Sequence, residues 1–417
     1  MAPRIELQIA ERDLDNGLTL IAVQNPGVST FACGVVLQAD VRNEARGEEG
    51  LANLVGDCLD EGTRARSGPA LAEAIENLGG GLEGNTSGAS LWCPVAVAKK
   101  ALPLLVETVT QPAFPAREVA RVRSEVLADI QSDLEDPQVV AGLRFRAEVY
   151  GDHPFARPLK GTPARLARYG RVDLARFHRR WFAPRGGLVA ASGPLEPRAT
   201  LDMLARAFRG FAGPAHPRPA CPQPALSKKR RDMHVSMRRE QVHVYMGHVG
   251  VRRSDPDFYA LSVMDHVLGT GPGFTSRVTK RLRDEMGLCY SVFAGITANA
   301  GEEPGTFTSY IGTSAEHRAQ AIEVFLAEIE RLRHEPPSAE EVRDVQDYLT
   351  GSFALGLERN LNLIRYAVLT KRFGLGFDYV LRYPDLVRAV TPDEVQRVAQ
   401  AHLHPDRVVV VSAGAGK

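Results

Sequence analysis

The stretch GLANLVGDCLDEGT, residues 50–63, gathers the first side chains whose types and spacing could do chemistry. Leu51, Leu54, Val55, Cys58 and Leu59 recur at helical spacing, which predicts an amphipathic helix. The opposite face carries Asn53, Gly56, Asp57 and Asp60. A glycine inside a helix costs about 1 kcal/mol against alanine, and Gly56 stands between an Asn and an Asp four residues apart. Other chemical signatures are sparse. The eleven histidines form no i, i+4 pair, and Asp152-His153 has no nucleophile beside it in the sequence. No G-x-S-x-G accompanies a serine. The glycine-rich GTGPG of residues 269–273 lacks the G-K-[ST] ending of a phosphate-binding loop.

The elements that must position these residues fall into two halves. The segment GPAHPRPACPQPALSKKRR, residues 213–231, holds five prolines and ends in four basic residues. Such proline density predicts an extended linker. On either side of it the same order recurs. RFHRRWFAPRGGLVAASG, residues 176–193, matches RVAQAHLHPDRVVVVSAG, residues 397–414, as helix, proline turn, buried strand and terminal glycine. FACGVVLQADV and VHVYMGHVGV each predict an apolar strand that leads into a helix, the second helix capped by Ser254 or Asp255. A helix, a glycine and a strand follow in both halves, then a long helix (VAKKALPLLVETVTQ; HRAQAIEVFLAEIERLRHE). Strands and helices mixed in this repeated order predict two similar α+β domains.

Bulk properties narrow the function classes. The chain has 417 residues, 44% hydrophobic and 24% charged, enough to bury more than one core. Lys+Arg at 51 nearly cancels Asp+Glu at 50, which argues against nucleic acid or an anionic membrane as partner. Cys33, Cys58, Cys93, Cys221 and Cys289 are scattered and form no C-x-x-C pair, a pattern of free thiols in a reducing compartment. The opening MAPRIELQIAERDL has no apolar core. The expectation is a cytoplasmic protein without a membrane span.

With GLANLVGDCLDEGT placed just after its first strand, this duplicated chain resembles the pitrilysin/insulinase family of zinc metallopeptidases. The resemblance runs from LDNGLTLIAV near the start to the strand-ending glycines Gly193 and Gly414. It implies an α+β fold of two homologous domains, residues 1–212 and 232–417, joined by the linker 213–231. Each domain would be a mainly antiparallel sheet packed with helices, the two forming a clamshell. In the family the helix carries H-x-x-E-H, two zinc-binding histidines and a glutamate that takes a proton from the metal-bound water. Here Asn53, Gly56 and Asp57 stand at those positions. Within RSEVLADIQSDLEDP, Asp129 falls where the third ligand is expected. The resemblance therefore implies a helix that no longer does catalysis, which is the sequence-based reason for Gly56.

The same resemblance assigns roles elsewhere. In LGTGPGFTSRVTKRLRDEMGLCYSVFAG, residues 268–295, Arg283 and Tyr290 have the spacing of the arginine and tyrosine that bind substrate backbone and stabilise the reacting carbonyl. Gly84, Asn85 and Thr86 lie where the family has an edge strand for extended substrate, although a plain hairpin turn of small residues reads equally well. The implied protein is a zinc-less subunit whose partner, a zinc-bearing relative or a second copy of this chain, supplies the metal. The substrate would be a peptide, and no cofactor of its own is expected. The alternatives are a catalytically inactive scaffold or peptide-binding homologue, and a hydrolase with a hard cation at Asn53, Asp57 and Asp129.

Overall fold

The computed structural model describes residues 6–214, 216–271 and 275–415, so Pro272 and Gly273 of the glycine-rich turn lie outside the described residues. The first half contains strands β1 (Ile9–Asp13), β2 (Thr19–Gln24), β3 (Thr30–Val36), β4 (Gly81–Asn85), β5 (Gly88–Pro94) and β6 (Leu188–Gly193). Its helices are α1 (Leu51–Asp57), α2 (Gly68–Glu76), α3 (Ala98–Thr110), α4 (Ala116–Glu135), α5 (Pro137–Tyr150), α6 (Pro163–Leu166), α7 (Arg171–Trp181) and α8 (Pro197–Phe208). The second half contains β7 (Arg231–Ser236), β8 (Gln241–Val249), β9 (Cys289–Gly295), β10 (Thr306–Ser314) and β11 (Val409–Gly414). Its helices are α9 (Phe258–Asp265), α10 (Arg318–His334), α11 (Ala339–Gly356), α12 (Asn360–Arg372), α13 (Tyr379–Arg388) and α14 (Pro392–His402).

The strand orders are β1-β2-β6-β3-β5-β4 and β7-β11-β8-β10-β9. Apart from the extra edge strand β1, the two orders superimpose, with β2 on β7, β6 on β11, β3 on β8, β5 on β10 and β4 on β9. Among the described residues, β2–β6 and β7–β11 pair in parallel, and the other neighbours are antiparallel. The protein is an α+β fold built from one unit used twice.

Alternation along the strands explains how the sheets are covered. Inward residues such as Phe31, Cys33, Val35, Leu91 and Val189 enter the first core. Val242, Val244, Met246, Phe307 and Ile311 enter the second. The outer faces are also apolar, and each is covered by a helix from the other half. Leu363, Ile364 and Ala367 of α12 pack on Ile21, Val23, Ala32 and Ala190. Phe145 and Val149 of α5 pack on Val409 and Val411. The halves thus exchange a helix and depend on one another for burial.

Between Phe211 and Arg230 the described residues form neither helix nor strand. Arg231, the last predicted linker residue, is instead the first of β7, where its guanidinium pairs with Glu148 of α5 at 2.9 Å. The linker crosses a charged junction in which Glu302 pairs with Arg42 at 2.9 Å and with Arg218. Helix α9 begins at Phe258, later than the predicted cap at Ser254 or Asp255. Asp255 caps a turn instead, accepting from the Asp257 amide at 2.9 Å. Asp257 is held by Arg397 and His402 of α14 at 2.7 and 2.8 Å.

Candidate functional site

The first candidate centre lies on α1. Its apolar face is buried in the first core, which turns Asn53 and Asp57 toward α4 and the loop holding Lys160. The Asn53 amide donates to Asp57 Oδ2 at 2.7 Å. Burial, then the neighbouring Asp60 charge, push the Asp57 carboxyl up to about 6, although part of the group opens to solvent. Asp129 lies close enough on α4 to add to that shift, while Lys160 opposes it. The Lys160 ammonium sits 2.8 Å from Asp133 and 3.7 Å from Asp129. The hydrogen bond to Asp133 holds its pKa above the ordinary lysine value. These residues do not fit a zinc ion. The donor set lacks imidazole and thiolate, Asn53 turns a donor toward Asp57, and a built-in cation neutralises the acids of α4.

Gly56 has a structural cause that the sequence reading did not contain. A Cβ at this position would lie 2.6 Å from both Asn85 C and Thr86 N, and one at Gly84 would lie 2.5 Å from the Gly56 carbonyl oxygen. The glycine is required by close approach. Loss of catalysis alone would have left any small residue acceptable. Gly84, Asn85 and Thr86 are both things the sequence suggested, the end of edge strand β4 and the start of its hairpin turn. They rest on α1. Asp60 accepts the Gly84 N–H at 3.4 Å, and Asn85 accepts from the Ser87 amide and hydroxyl at 3.1 Å. The hairpin fills the place above α1 where a side chain at position 56 would stand.

Among the described residues, two other groups bring metal-ligating atoms together, His153–Cys221–Glu303 and Asp255–Asp257–His402. Neither includes Asn53, Asp57 or Asp129. His153 Nδ1 accepts the Phe155 N–H at 3.1 Å, and Glu303 pairs with Arg252 at 3.0 Å. Asp257 is already held by Arg397 and His402.

The second centre lies at the start of β9. A π-helical turn, Thr279–Glu285, ends at Gly287, whose φ of 61° lets the chain reverse. The Leu288 amide donates to Leu282 O at 2.8 Å, and the Gly287 amide to Arg283 O at 3.2 Å. Strand β9 then pairs Cys289 with Thr313 and Ser291 with Gly312, leaving Tyr290 as the extra residue of a β-bulge. The sequence contains the reason. Cys289 and Val292 both point into the second core though three residues apart, a spacing that strict alternation cannot satisfy. The bulge absorbs the odd residue and turns Tyr290 outward, 81% exposed. Arg283, on the preceding turn, places its guanidinium carbon 5.3 Å from the Tyr290 ring centroid. A hollow of about 350 Å³ beside them is lined by Gly287, Tyr290, Gly312 and His317. The pair sets a guanidinium and a phenol side by side at one mouth, the phenol facing solvent.

Sequence reasoning missed Lys160, which lies 31 residues beyond Asp129 and carries no local signal. It also missed the bulge, which the Cys289–Val292 spacing could have revealed.

Comparison with known proteins agrees with this fold. Residues 19–163 match the profile of insulinase (peptidase family M16), and residues 170–349 that of the peptidase M16 inactive domain. An uncharacterized zinc protease of Streptomyces coelicolor is 25% identical, over 93% of this chain and 85% of its own length. One from Mycobacterium leprae is 28% identical over 84% of this chain and 79% of its own. The crystal structure of a peptidase M16 inactive domain from Pseudomonas fluorescens superimposes with a TM-score of 0.91 at 25% identity, covering 99% of both chains. A protease from Helicobacter pylori shares the fold, with a TM-score of 0.87 at 17% identity over 98% of this chain and all of its own. The chain is therefore a member of the pitrilysin/insulinase, or M16, peptidase family.

Proposed function

We propose that this chain is the zinc-less subunit of a two-chain peptidase, lending Arg283 and Tyr290 to a partner that carries the metal and the base. One observation carries the reading. Tyr290 stands exposed on a bulge of an edge strand with Arg283 beside it on the preceding turn, whereas the α1 centre of the same molecule is filled by its own hairpin and its own lysine. In the assembled site the guanidinium donates to peptide carbonyls, holding the substrate backbone. The Tyr290 phenol donates to the oxygen on which negative charge develops. The partner contributes the water-activating group that Gly56 cannot. The five thiols are unpaired, which suits a reducing, cytoplasmic setting.

A second reading, a catalytically inactive scaffold that binds peptides, is favoured by the match to the inactive-domain profile. Cleavage of a fluorogenic peptide library separates the two. The chain, an H-x-x-E-H-bearing M16 relative from the same cell, and their equimolar mixture are assayed side by side. The subunit reading expects turnover in the mixture well above either chain alone. A mixture no faster than the relative by itself would leave the scaffold.

A further inference from the structure

We propose that the cavity beside the second sheet is a side-chain pocket that takes a bulky apolar residue of an extended peptide lying along β9. The inference rests on reading Arg283 and Tyr290 as peptide-binding groups, and adds to it the class of peptide preferred.

The cavity has a volume of about 930 Å³ and lies between α5 and the outer face of β8, β10 and β9, within the range of ligand pockets. Its cause is legible row by row. One row across the outer face is Phe293–Tyr310–Tyr245–Val411, and its aromatic rings stack across the strands, Phe293 on Tyr310 at 5.5 Å and Phe145 of α5 on Tyr245 at 6.1 Å. The neighbouring row toward the end of β9 is Gly295–Thr308–Gly247. The Phe145 ring covers Gly247, but Gly295 and Thr308 are too small to fill the height that the aromatic row gives the layer under α5, so a void remains beside them. Leu143, Leu159 and Phe293 wall it.

Leu159 and Phe293 remain 47% and 38% exposed, which opens the void to solvent. The occupant follows from continuity with the Arg–Tyr corner. β9 is the last strand of its sheet; Gly269 packs against the backbone of the buried Ala294, but residues 290–293 ahead of it have no strand partner on the outer edge among the described residues and can take an added peptide strand. A peptide held at Tyr290 and running as far as Phe293 covers three residues, about 10 Å, and arrives where the wall of the cavity begins.

Fluorescence anisotropy of labelled twelve-residue Ser/Ala peptides, each with or without one central Phe, tests this on the isolated full-length chain. The Phe peptide is expected to bind about tenfold tighter than the all-Ser/Ala peptide. Val139→Trp fills the void from α5 and Thr308→Phe fills it from the sheet. Either variant, if its melting temperature matches wild type, should bring the Phe peptide to the level of its Ser/Ala counterpart. A Phe preference that persists in a well-folded filled variant, or no preference in wild type, overturns the pocket. Arg283→Ala should weaken both peptides alike. If it weakens neither while filling still erases the Phe preference, the pocket stands and the reading of Arg283 is what fails.

Discussion

The two edge strands β4 and β9 occupy the same place in the repeated unit and have opposite fates. At β4 the strand end and its turn press onto α1, Asp60 takes the Gly84 N–H, and Trp92 covers Gly81 so closely that a Cβ there would lie 2.2 Å from the indole. At β9 a bulge throws Tyr290 into solvent, Arg283 lies beside it, and a cavity opens along the same sheet. One topology can therefore be closed at one end and open at the other by a few local choices. Glycines allow the hairpin to seat in the first half, and one surplus residue turns a side chain outward in the second.

The largest effect should come from the open end. In an active mixture with a zinc-bearing partner, Tyr290→Phe is expected to lower kcat/KM by about 100-fold, the scale of a lost oxyanion donor, and Arg283→Ala by about 10-fold, the scale of a lost charge-assisted hydrogen bond to the substrate backbone. Steady-state rates with the partner saturating would check this. Equal rates for wild type and both variants would erase the functional distinction between the strands.

The closed end should respond in stability. Gly56→Ala places a methyl group against the Asn85–Thr86 backbone, and urea unfolding should report a loss of about 2 kcal/mol. An unchanged midpoint would mean that the hairpin lifts freely from α1. Lys160→Met should act less on stability, by about 0.5 kcal/mol, because the ammonium is partly exposed. It should also raise the Asp57 pKa further, since the Lys160 charge lowers it, a shift visible in a carboxyl carbon NMR titration.

A pH-dependent effect, intermediate in size between those two, is expected of Asp57→Asn. The folded-state pKa of Asp57 is raised, so between about pH 4 and pH 6 the native state holds a proton that the unfolded chain has released. Stability falls as pH rises through that window, and the cost persists above it. Asn removes this cost. The variant should melt like wild type near pH 4 and be more stable at pH 7.5 by about 1 kcal/mol, after a discount for the solvent-facing side of the group. The opposite pH trend would place Asp57 in a stabilising ion pair.

Much of this architecture was legible in the sequence because it is carried by local signals. The matched helix–turn–strand endings at Gly193 and Gly414 exposed the repeat, and the RLRDEMGLCY corner located the Arg–Tyr pair. The exchange of α5 and α12 was not legible, since nothing in a helix's own sequence says which sheet it covers. Gly56 was correctly singled out but explained by absence, because its real neighbour, the turn at Asn85, lies 29 residues away in the chain. Lys160 was invisible for the same reason. Residues brought together by topology leave no spacing to read, whereas residues on one helix or one corner do.

The division between a closed and an open centre is tested most directly by calorimetric titration of zinc into the chelator-treated wild-type chain beside Asp57→Ala. No saturable binding that differs between the two proteins is the expected result. A one-to-one site in wild type that Asp57→Ala abolishes would contradict it, and would return the metal to the α1 centre.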